Sequence, residues 1–64
     1  MSTLVKSILE NVRSARIHRA NFAAYEAAGD THRASVAAEW VAYRLQLAEV
    51  AALELGGRQL SVQL

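Results

Sequence analysis

Between Ser2 and Leu55 only one glycine, Gly29, interrupts a run of helix-favouring residues, and proline is absent from the whole chain. Without proline nothing breaks the backbone hydrogen-bond ladder, and a lone glycine near the middle marks the one natural place to turn. The spacing predicts a first helix over about residues 3–28, a turn at 29–30, a second helix over about 31–55 and a tail over 56–64. Ser2 and Thr3 are N-cap residue types for the first helix. Gly29 stands where a C′ residue adopts the left-handed conformation, and Asp30 or Thr31 can cap the second helix. A connection this short forces the helices to lie antiparallel. The expected fold is a single all-α domain, an antiparallel two-helix hairpin.

The apolar pattern asks for more than one hairpin. On the first helix Val5, Ile8, Val12, Ala15 and Phe22 form one face, with Arg19 filling its gap. The second helix carries two seams. Val36, Trp40, Tyr43, Leu47 and Val50 step by four, three, four and three, while Ala37, Val41, Ala48 and Leu55 form a smaller seam with Arg44 in its middle. Together they cover more of the circumference than one partner helix can hide. The alanine seam suits close approach to the first helix. The bulky seam, Val36, Trp40, Tyr43, Leu47 and Val50, suits a core shared with a second copy. The expectation is a homodimer forming a four-helix bundle.

A turn centred between 29 and 30 sets Arg19 against Trp40, Ala15 against Arg44 and Glu26 against Arg33. Those pairings suggest a cation–π contact and a salt bridge beside the turn. Arg44, set among apolar neighbours, needs a carboxylate from Glu10 or from a partner subunit, a wet seam, or an anionic ligand. Ser7, Asn11, Ser14, His18, Asn21 and Tyr25 recur at helical spacing on the first helix. They read as one uncharged, hydrogen-bonding stripe opposite the apolar face. Lys6, Arg13, Arg16 and Arg19 make the same stretch basic, with Glu10 the one acid among them. Asn11, Arg13, Ser14, Arg16 and His18 are therefore the candidate partner-binding residues.

After Gly56-Gly57, the tail alternates Leu60, Val62 and Leu64 with Gln59, Ser61 and Gln63. This is a short strand pattern with no partner strand in the chain. An end without regular structure is the other reading.

Composition excludes several classes. The chain has 64 residues, no cysteine and a formal net charge of +1. Disulfides and thiolate metal sites are excluded, and no global field points to nucleic acid or membrane. No apolar run is long enough to span a bilayer, and Lys6, Glu10 and Arg13 break up any signal-peptide core. No His-x-x-x-His or Glu-x-x-His spacing, phosphate loop or nucleophile–base set is present, so no catalytic residue, cofactor or metal is expected. Alanine occurs thirteen times and arginine six times against one lysine. That bias points to a GC-rich bacterium or its phage, and a cytoplasmic setting is the simplest expectation.

Tyr25-x-x-x-Gly29-Asp30-x-x-x-Ala34 resembles the turn between the helices of a tetratricopeptide repeat over ten residues. The layout of two helices of about 25 residues, a central bend and a short tail is similar to that of Rop-type hairpins, a likeness of layout without a shared motif. It implies dimerisation into a four-helix bundle and binding of paired RNA loops. The leading functional expectation is a small non-enzymatic homodimer that binds another protein, as a regulator, adaptor or phage-encoded inhibitor. A Rop-like RNA-binding dimer is the second, and a structural subunit whose tail strand joins a neighbour's sheet is the third.

Overall fold

The computed structural model describes the backbone of residues 2–63 and the side chains of residues 2–56. Two helices pack against each other as a hairpin: α1 (Thr3–Ala27) and α2 (Thr31–Gln63). The molecule measures 48 × 19 × 14 Å, long in one direction and thin in the others.

Each helix boundary has a local cause. The Val5 N–H donates to Ser2 Oγ at 3.1 Å, so Ser2 caps α1 as its residue type predicts. At the other end Gly29 has φ +75°, a left-handed conformation that costs a glycine little. The Asp30 N–H then donates to the Tyr25 carbonyl (2.9 Å) and the Gly29 N–H to the Glu26 carbonyl (3.0 Å), the two bonds of a Schellman ending. Asp30 turns at once into the cap of α2, its Oδ1 accepting from the Arg33 N–H at 3.1 Å.

The second boundary differs from the expectation. α2 does not stop at Leu55 but continues through Gly56 and Gly57 to Gln63, so the tail is helical rather than a strand. Among the described residues only Gly29 takes a positive φ. The glycine pair therefore weakens the helix without ending it, and the alternating tail has no strand to pair with. Leu64 lies outside the described residues.

The helices meet along seams of period three and four. On α2 these are Ala34, Ala37, Val41, Arg44, Ala48, Ala51 and Leu55; on α1 they are Leu4, Ile8, Asn11, Ala15, His18, Phe22 and Tyr25, all buried or half-buried. Such a sustained repeat is the seam of an antiparallel coiled coil. Its most buried members, at 4–8% exposure, are small: Ala15, Ala34, Ala37, Ala48, Ala51 and the polar Asn11. The five alanine methyl groups contribute on the order of 4 kcal/mol at about 0.8 kcal/mol each, and the larger seam residues Leu4, Ile8, Phe22, Val41 and Leu55 add only partial burial. That is slight support for a chain of this length.

Candidate functional site

The bulky stripe of α2 lies outside the hairpin's own core. Trp40 is 44% exposed, Tyr43 49% and Val50 55%, with Val36 also exposed and Leu47 half-buried. Alanine explains this arrangement. Only a side chain without atoms beyond Cβ lets two helix backbones approach closely, so the small seam turns inward and the large one is displaced to the flank.

The stripe on α1 that sequence pattern places opposite the apolar face is instead part of the contact. Asn11 is buried at 8% exposure, and Ser7, Ser14, His18 and Tyr25 are half-buried, while Asn21 is exposed. Polar groups enter this seam because they are satisfied there. Asn11 Nδ2 donates to the Ser7 carbonyl (2.9 Å) and lies 3.3 Å from Ser7 Oγ. The amide is thereby oriented with Oδ1 towards α2, where it accepts from Arg44 Nη1 at 3.3 Å.

Arg44 is thus partnered by Asn11, and no ion pair with Glu10 forms. Its guanidinium carbon lies 5.8 Å from the ring centres of both Trp40 and Tyr43. The aromatic faces supply part of the stabilisation that a carboxylate would otherwise give. Arg44 Nε remains buried without a hydrogen-bond partner among the described residues. Trp40 and Tyr43 meet edge to face at 5.8 Å and 79°. Across the seam His18, rather than Arg19, covers Trp40, the rings stacked at 5.6 Å and 16°. Beside the turn Arg33 reaches Asp30 (Nε to Oδ2, 3.4 Å) instead of Glu26, since the capping carboxylate is already held in place three residues away.

These contacts bring two separate sets of residues onto one broad face. His18, Asn21 and Tyr25 from α1 line a groove with His32, Val36 and Trp40 from α2. A neighbouring hollow is bounded by Glu39, Trp40, Tyr43 and Arg44. Of the candidate binding residues, Asn11, Ser14 and His18 belong to the seam or this face. Arg13 and Arg16 do not join them. They are exposed on the outer side of α1, where Leu9 and Ile17 are also exposed. Leu9, which helical spacing lets widen the apolar face of α1, is instead exposed on the opposite side, and Ile17 falls off that face altogether. Their size on an otherwise polar side is the signal that identifies them.

Among the described residues no group of three or more His, Cys, Asp or Glu side chains gathers to hold a metal ion, and no helix is long and apolar enough to cross a membrane. No family model, curated protein or solved structure matches this chain.

Proposed function

We propose that the chain is a non-catalytic, self-associating helical interaction module. Two hairpins join through the broad Trp40 face into a four-helix bundle, and the bundle offers the outer side of α1 to another protein. One observation carries the reading: the hairpin's seam buries alanines while Val36, Trp40, Tyr43 and Val50 stay exposed. A domain of this length gains too little from an alanine seam to stand alone, and a second copy is the usual remedy. Covering one large apolar side chain contributes about 1.5–3 kcal/mol.

On the outer side of α1, Arg13 and Arg16 alternate with Leu9 and Ile17, which are 52% and 57% exposed. A mixed basic and apolar patch fits a protein surface with an acidic rim and an apolar centre, where ordered arginines make strong anchors. An RNA backbone would engage the arginines and leave Leu9 and Ile17 without a complement. This favours a protein target over the Rop-like alternative.

Sedimentation equilibrium at micromolar concentration tests the association. The expected mass is twice the 7.0 kDa of one chain, and a folded monomer would refute the reading. The double variant Arg13→Ala, Arg16→Ala should weaken target capture and leave thermal melting nearly unchanged. RNA that co-purifies, and whose removal by nuclease abolishes capture, would instead select the RNA-binding reading.

A further inference from the structure

The proposed dimer leaves open how the two hairpins face each other, and the broad face itself contains the answer. We infer that the partner on this face is a second copy laid antiparallel, α2 on α2, with the two-fold axis crossing at Tyr43 and the two turns at opposite ends. The inference rests on the dimer reading above and adds its geometry.

The first argument is the spacing of the stripe. Val36, Trp40, Tyr43, Leu47 and Val50 step by four, three, four and three along α2. Read outward from Tyr43, the two ends match to within one residue. Reversing one copy therefore sets Val36 on Val50 of the partner subunit and Trp40 on Leu47 of the partner subunit. Tyr43 then lies on its own mate. Large against small is the arrangement that interdigitates. A parallel pairing would set Trp40 on its mate and each remaining side chain of the stripe on its own mate, like on like, without that alternation.

The second argument is how polarity is divided across the face. Its α1 half carries Ser14, His18 and Asn21, and its α2 half carries the bulky stripe. A two-fold axis running along the helices would lay each apolar stripe on the partner's polar half. An axis crossing the helices lays the bulky stripe on its mate and the α1 half on its mate, so Ser14, His18 and Asn21 meet side chains that can bond to them.

The third argument is the apolar surface left on this face. Val36, Trp40, Tyr43 and Val50 are 41%, 44%, 49% and 55% exposed there, and a second copy laid on its mate covers all four at once.

The absence of cysteine makes the test direct, because any introduced thiol is unique. Single variants V36C, Y43C and V50C are treated with a bismaleimide reaching about 10 Å, the spacing of packed helices. Tyr43→Cys should link to itself. Val36→Cys and Val50→Cys should each remain unlinked alone, since their mates lie about 21 Å away along the axis, and should link when the two variants are mixed. Circular dichroism confirms that each variant is folded, and the mixed pair keeps Tyr43 intact should its loss weaken association. Self-linking of Val36→Cys would overturn the antiparallel orientation while leaving the dimer in place. A dimer in which the mixed pair does not link would overturn the register. A wild-type chain that sediments as a monomer would overturn the dimer reading and this one together.

Discussion

The two seams of α2 are built from opposite materials. Ala34, Ala37, Ala48 and Ala51 are inside the hairpin, and Val36, Trp40, Tyr43 and Val50 are outside it. Hydrophobicity alone would have placed the tryptophan at the centre. The difference shows that in a two-helix fold the distance between backbones, and not side-chain hydrophobicity, decides which seam turns inward. Small residues permit the closest approach, and the larger ones are left for whatever packs next. The inner seam should therefore be sensitive to added volume and the outer one to lost volume.

The largest expected effect separates the two kinds of sensitivity. Trp40→Ala should weaken the proposed dimer by about 3–5 kcal/mol, the range for a large aromatic removed from a covered site. It should leave the hairpin's own contacts in place apart from the His18 stack. Concentration-dependent sedimentation reads the loss directly. Unchanged association would mean that the outer seam is not covered.

Ala48→Leu probes the inner seam and should act in the other sense. Three added carbons between close backbones cost about 1–3 kcal/mol by overpacking, seen as a lower melting temperature by circular dichroism. A higher melting temperature would show that the helices do not pack as tightly as the alanine seam requires.

The smallest expected effects come from the glycines, and they differ in sign. Gly29→Ala places a Cβ on a left-handed residue and should destabilise by about 1 kcal/mol. Gly56→Ala should stabilise by a similar amount, about 0.5–1 kcal/mol, because Gly56 sits inside α2 with open space where its Cβ would be. A stabilising Gly29→Ala would contradict the turn, and a destabilising Gly56→Ala would contradict the continuous helix.

The turn and both seams were legible in the sequence because each rests on strong local physics: a residue that tolerates positive φ, and spacings that match the helical period. The polar residues of α1 were harder to place. Ser7, Asn11 and Ser14 look like a solvent face because polar side chains usually avoid contacts, but a buried amide is tolerated when a carbonyl four residues back holds it, as Ser7 does for Asn11. The partner of Arg33 was misread for a similar reason. Opposed numbering across the turn favoured Glu26, but the capping of Asp30 had already placed a carboxylate nearer. In the tail, alternation suggested a strand, and the unbroken α2 backbone prevailed where no second strand was available. That Leu9 and Ile17 lie beside Arg13 and Arg16 emerges only once the inward face of α1 is fixed.

The bond between Asn11 and Arg44 has a consequence for how the chain finds its alignment. A ribbon of alanines looks nearly the same after sliding by one heptad, about 10 Å along the axis. Packing alone would let helices from neighbouring nascent chains zip together out of step at little cost. Each shifted alignment, however, separates the Asn11 amide oxygen from the Arg44 guanidinium and leaves the cation with only the Trp40 and Tyr43 rings of its own helix. A single polar notch of this kind is known to select register in coiled coils. Here it acts as proofreading. It discriminates little in favour of the native pairing through its own strength, and much against the others through what they would have to bury.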